Sequence, residues 1–282
     1  MYKHKNRIAF LALASAFGMM SAFAQQNNNN DAGTDQGCFA LPNYQALKAQ
    51  LAAAVLAETS GLNNHMWATL VDRNGIVCAV AYSGSSVGAQ WLGSRVISAQ
   101  KANTANDFSL DGSAVSNGSG LALSLSTANL FSAVQPGGSL FGLQESNPVN
   151  TAVAYAAPAA AYGTQNDPMV GNRIGGVNVF GGGLALYANG NVLVGGVGVS
   201  GDTSCADHFI AWRLRNLLNL DHLGTAIPGP AGLFNSDPTH PDNIIFDVTA
   251  NPSGGTGNSA SGFGHPKCLN TGDPSKLPAV QK

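Results

Sequence analysis

The alternation of apolar and polar positions divides this chain into two similar halves around a long irregular middle. Tyr44, Leu47, Leu51 and Val55 repeat at helical spacing, with Lys48 and Gln45 on the opposite face. Pro42-Asn43 opens that helix, Asn43 supplies the cap, and Gly61 stops it. Met66–Val71 and Ile76–Tyr82 read as two strands around the turn Asp72-Arg73-Asn74-Gly75. Gln90–Asn106 follows as a helix with Leu92, Val96 and Ala99 on one side. Leu184–Tyr187 and Val192–Val199 form a second strand pair around Asn189-Gly190. Both turns carry Asn-Gly, which tolerates the positive φ of a type I′ hairpin. Asp202-Thr203-Ser204 offers cap oxygens to a last helix, Cys205–Leu220. Its buried stripe is Ala206, Ile210, Leu214 and Leu217, with Arg213 and Arg215 outward.

Phe108–Gly176 has no sustained period. Leu121–Phe131 reads as a helical segment, Gln135–Pro148 as turn-rich, and Ala152–Tyr162 as helix or coil. After Gly224 the chain is rich in Pro, Gly, Ser and Asn, with Asn243–Thr249 as a short edge strand. The order is helix, hairpin, helix, excursion, hairpin, helix. Tight turns make neighbouring strands antiparallel, so the expected fold class is α+β: a profilin-like antiparallel sheet from two hairpins with flanking helices.

Composition adds a compartment. Lys3, Lys5 and Arg7 precede the apolar run Ile8–Met20, and Ala22-Phe23-Ala24 is an A-x-A cleavage site. The expected organisation is a signal peptide over 1–24, a polar disordered lead-in over 25–40, a domain over 41–223 with an insertion at about 108–176, and an extension over 224–282. The expected location is periplasmic or secreted. No later apolar run is long enough to span a bilayer. The formal charge of −2 and the absence of a basic patch argue against nucleic acid as a partner. Four cysteines in an exported chain read as two disulfides. Anchoring the Gly-rich tail favours Cys205 with Cys268 and Cys38 with Cys78 among three possible pairings.

Two motifs invite catalytic or nucleotide readings. Gly196-Val197-Gly198-Val199-Ser200-Gly201 matches G-x-G-x-x-G, with Asp221 about twenty residues on. That reading needs a parallel βαβ unit, and the strand here is a hairpin arm. Repeated glycines in a strand instead mark another backbone or a ligand passing close. Gly84-Ser85-Ser86-Val87-Gly88 matches G-x-S-x-G, giving a serine hydrolase with Ser86 as nucleophile, Asp207 as orienting acid and His222 as base. That elbow needs a central parallel strand. A structural exported module is a third reading, suited by the Gly, Asn and Ser content.

Three words of sequence, in order, resemble the GlcG/HbpS family of haem-binding proteins, whose domain also ends PduO-type cobalamin adenosyltransferases. They are Leu70-Val71-Asp72-Arg73-Asn74-Gly75, Lys101-Ala102-Asn103-Thr104-Ala105, and Gly182-Gly183-Leu184 followed by Gly195 to Gly201 and Asp207. The resemblance covers roughly Leu41–Leu220. It implies a non-catalytic domain that binds haem or a related tetrapyrrole, forms symmetric oligomers, and in exported relatives communicates with a sensor protein. Haem asks for an axial ligand, an apolar slot and cations for its propionates. His208, beside Asp207 in the first turn of the last helix, is the leading candidate ligand to the haem iron. His65 is weaker, and His240 and His265 read as solvated. Lys101, Arg95 and Arg173 are candidates for the propionates. Cys205 and His208, at i and i+3, also share a helix face on which a metal ion could sit.

Overall fold

The computed structural model describes residues 37–111, 123–189, 191–223 and 237–281. The expected signal peptide, most of the expected lead-in, Leu121, Gly190 and residues 224–236 lie outside these.

Four strands form one sheet: β1 (Trp67–Asp72), β2 (Val77–Tyr82), β3 (Gly183–Ala188) and β4 (Val192–Ser200). The order is β2-β1-β4-β3, and every neighbour is antiparallel. The two hairpins therefore meet through β1 and β4, Trp67 opposite Ser200 and Asp72 opposite Gly195. With α1 (Tyr44–Leu56), α2 (Ser94–Asp107) and α4 (Ser204–Leu217) packed on it, the class is α+β as the sequence pattern indicated. A short α3 (Thr151–Ala154) lies in the excursion.

Both faces of the sheet are buried, which is why β1 shows no polar alternation. Met66, Ala68 and Leu70 point into one core with Leu47 and Leu51 of α1 and Phe209 and Ile210 of α4. Trp67, Val71, Val77 and Val80 point into another with Val96, Ala99 and Ala102 of α2. That second core is completed by Ala154, Met169 and Ile174 from the excursion.

The glycines of β4 explain how α2 sits so low on the sheet. A Cβ on Gly198 would collide with the Ser98 carbonyl oxygen and reach 2.5 Å from the Ala102 nitrogen; one on Gly196 would collide with the Ala102 carbonyl oxygen. The backbone that passes close is α2. With β4 antiparallel to both neighbours, the G-x-G-x-x-G match marks helix–sheet packing, not a nucleotide cradle.

Several expectations are corrected. The first turn is not type I′: only Gly75 has positive φ, +74°, and the Gly75 N–H donates to the Asp72 carbonyl at 2.9 Å. The Asp72 carboxylate accepts the N–H groups of Asn74 and Ile76, each at 2.9 Å, which fixes a three-residue turn instead. α2 starts at Ser94, because the Gln90 side chain donates back to the carbonyls of Ser86 and Val87 and holds the preceding loop, leaving Leu92 exposed. Thr127–Leu130 and Ala159–Ala161 are single 3₁₀ turns. β5 (Val248–Thr249) pairs only with β6 (Asn258–Ser259), so it is a separate ribbon and not an edge of the main sheet. The C-terminal segment supplies Ile244, Leu277 and Val280 to the first core. Cys38 is bonded to Cys78 and Cys205 to Cys268, the pairs that anchoring the tail favoured.

Candidate functional site

The most specific sequence word, Gly195 to Asp207, folds into a clasp at the junction of β4 and α4. Thr203 caps α4 and brings Asp207 into its first turn. The Asp207 carboxylate accepts the N–H groups of Gly201 at 3.0 Å and Asp202 at 2.9 Å. Its other oxygen takes the Lys101 ammonium at 2.6 Å. Lys101 also donates to the Val199 carbonyl at 3.1 Å and lies 4.2 Å from the centre of the Phe180 ring. Both charges are wholly buried. Burial pushes the Asp207 carboxyl up to about 6, against the pull of the ammonium, and pushes Lys101 down. Asp202 in turn accepts the N–H groups of Leu62 and Asn64, tying the approach to β1.

His208 faces a second buried group. Its Nε2 is 3.1 Å from the Asn243 side-chain oxygen and accepts the Ile244 N–H at 3.1 Å. Its Nδ1 is buried without a hydrogen-bond partner among the described residues. Burial pushes the imidazole down to about 3. One helical turn further, Trp212 lies 6.1 Å from that ring, and Arg215 is fully buried. Arg215 holds Asp242 through two bonds of 2.6 and 2.8 Å and donates to the Ala185 carbonyl. Burial alone would raise Asp242, but the guanidinium and the Ser124 hydroxyl hold it below the usual carboxylate range. The outward placement of Arg215 is thus overturned by Asp242, from a tail that was read as a surface extension. Arg213 is half-buried against Glu58.

Arg95 belongs to a third group, on the opposite face. It donates to the Asp167 carboxylate at 2.8 Å and the Ala154 carbonyl at 2.7 Å, and stacks 3.7 Å from the Tyr162 ring centre. Arg173 is on the surface, donating to the Asn74 carbonyl. The structure therefore does not bring His208, Lys101, Arg95 and Arg173 to one place. The histidine placements also change: His240 and His265 are buried and bonded, not solvated. Among the described residues the one exposed histidine is His65. Its Nδ1 is 3.2 Å from the Ser83 hydroxyl, whose oxygen also accepts the Met66 N–H.

The hydrolase constellation does not assemble. Ser86 is exposed after β2, an antiparallel edge strand, and Asp207 is engaged by Lys101, Gly201 and Asp202. His222 is buried beside β3, its backbone bonded to the Tyr187 carbonyl.

The enclosure of His208 makes a prediction. Its folded proton affinity lies well below that of an exposed imidazole, so between about pH 6.5 and 3 the unfolded chain binds one more proton there. That contribution destabilises the fold as pH falls, by about 1.4 kcal/mol per pH unit. Asp242, Arg215 and His265 all act on this ring, and Asp207 opposes the trend between its ordinary range and about 6. Urea unfolding of wild type and His208→Gln isolates the term: the stability advantage of wild type should shrink from pH 7 to pH 5. A constant difference would contradict the placement.

Fold and site together define an α+β scaffold with an all-antiparallel sheet, held by buried ion pairs whose members come from α2, the excursion, α4 and the C-terminal segment. The chain belongs to the HbpS-like family, described as haem degrading protein HbpS-like, whose family model matches residues 43–214. Among solved structures it is similar to the Klebsiella pneumoniae protein ORFY of the DUF336 family, at 25% identity over 63% of this chain and 90% of that one, TM-score 0.40. It is also similar to a PduOC complex with haem, at 22% identity over 66% and 99%, TM-score 0.41. A Streptomyces reticuli HbpS double mutant is 16% identical over 75% and 99%, TM-score 0.35. No curated protein matches the chain.

Proposed function

We propose that this chain is an exported, non-catalytic haem-binding protein that sequesters or senses haem. Membership of the HbpS-like family over residues 43–214 carries the reading. The basic, apolar and A-x-A segments at the start of the chain and its two disulfides support export. A homo-oligomer and a sensor protein are the partners proposed with it.

The buried set does not fit haem. The nitrogen of His208 that carries a lone pair already accepts the Ile244 N–H, and Lys101 and Arg95 are closed off by Asp207 and Asp167. His65 fits better. Its ring is exposed, and in the tautomer that donates Nδ1–H to the Ser83 hydroxyl the lone pair is on Nε2, the usual arrangement of an oriented imidazole ligand. Gln90 packs beside Gly84, next to His65, and the adjoining Trp91 and Leu92 are 53% and 65% exposed. These give an apolar surface at the same end of the sheet. Lys48, 5.2 Å from the Tyr82 ring centre at that end, is a cation for a propionate. A haem held there would take His65 as its axial ligand.

Titrating the purified mature protein with haemin tests the reading. A saturable Soret shift is expected. A spectrum that only adds that of free haemin would remove the function.

A further inference from the structure

Cys205, His265 and Cys268 form a cluster that the haem reading leaves unused. Each offers a ligand atom within 4.8 Å of the others. Cys205 and Cys268 are joined as a disulfide. Two features of the fold favour thiolates once that bond opens, against the burial of Cys205. Cys205 is the second residue of the 14-residue helix α4, where the helix dipole stabilises negative charge. Its own N–H points at the Cys268 sulfur at 3.1 Å.

The third member is held in place. His265 Nδ1–H donates to the Pro266 carbonyl at 2.6 Å, and its Nε2 is 2.7 Å from the Ser204 hydroxyl. That hydroxyl oxygen accepts the Gly181 N–H at 2.6 Å. The ring also packs 4.7 Å from Phe131, centre to centre. With Nδ1 as the donor, Nε2 carries the ring's lone pair, which accepts the Ser204 hydroxyl; rotation of that hydroxyl frees it for a metal. Two thiolates and a neutral imidazole are the donor set of a zinc site with one position open. Cys268 is half-buried, which gives a reductant access.

We propose that reduction of the Cys205–Cys268 disulfide by a dithiol converts it, with His265, into a three-ligand site for a zinc-class divalent cation. The dithiol is oxidised to its own disulfide while the S–S bond opens, and each sulfur gains one proton. The cation then displaces both thiol protons. Tetrahedral Zn–S bonds of ~2.3 Å place two sulfurs roughly 3.8 Å apart, so the pair has only to separate by side-chain rotation. Bound metal would renew the tie between α4 and the C-terminal segment that the broken disulfide no longer makes.

Cobalt(II) is the probe. The Cys38→Ser/Cys78→Ser variant isolates the cluster; it is reduced with dithiothreitol, desalted without oxygen and titrated. One equivalent should bind, with thiolate-to-cobalt charge transfer and the intense visible bands of tetrahedral coordination. The unreduced protein should bind none. Adding His265→Ala should weaken binding more than about tenfold, as should Cys268→Ser. Zinc should bleach the cobalt spectrum. A reduced protein that takes up no cobalt, or takes it up equally without His265, overturns the proposal.

Discussion

Replacing Asp207 with Ala should cost the fold about 3–5 kcal/mol, because it leaves the Lys101 ammonium buried without its counter-charge. The loss goes beyond the pair. The carboxylate also receives the N–H groups of Gly201 and Asp202, which shape the turn from β4 into α4. A buried donor left unmet carries its own penalty of about 1–3 kcal/mol. Lys101→Met should be costly for the mirror reason, since Asp207 would then be a buried carboxylate without its cation. The double substitution Lys101→Met/Asp207→Ala removes both charges and should be milder than the sum of the two single losses. Guanidinium unfolding of the four proteins measures the coupling. Additive single losses would mean that the two groups do not work as a pair.

Gly198→Ala should lose about 3 kcal/mol or fail to accumulate as folded protein, because the added methyl meets backbone and not a flexible side chain. The Ser98 carbonyl and the Ala102 nitrogen belong to consecutive turns of α2, so the helix would have to lift from β4. That movement would also loosen the contact between Thr69 and Ser98, whose hydroxyls are 2.8 Å apart across the same interface. Gly93→Ala is the matched control: its Cβ meets nothing within 4 Å and its φ is −62°. The control should unfold at the wild-type midpoint. Equal behaviour of the two variants would remove close helix–sheet packing as the reason for the glycines.

The sheet was legible because its signals are local. Asn43 caps its own helix, and the first reversal is set by residues within four positions of each other. Burial of the charged groups was not legible, because each partner lies far along the chain. Asp242 reaches Arg215 from a Pro- and Gly-rich tail, and Asp167 reaches Arg95 from an excursion with no period. One signal was available and unread. His208, Trp212 and Arg215 fall at i, i+4 and i+7, a single helical face, so Arg215 had to share the surroundings of the apolar Trp212. The link from α1 to β1, where Gly61 is the expected helix stop, shows the opposite case: α1 ends at Leu56, and Gly61, at φ +67°, serves a later turn bonded to the Asn270 carbonyl. The distant tail again decides the detail.

The same contrast governs the candidate site. Adjacency to Asp207 and the glycine-rich strand pointed to His208, but those neighbours hold the fold, and His208 is sealed behind Asn243 and Ile244. Exposure, which no local pattern encodes, singles out His65.

Haemin titration of His65→Ala beside His208→Ala therefore decides the account. Haem held at the open end of the sheet loses its axial ligand and its Soret shift in His65→Ala, while His208→Ala, if folded, keeps wild-type affinity and spectrum. An unchanged His65→Ala together with a His208→Ala that no longer binds would place the iron inside the core and contradict the structure described.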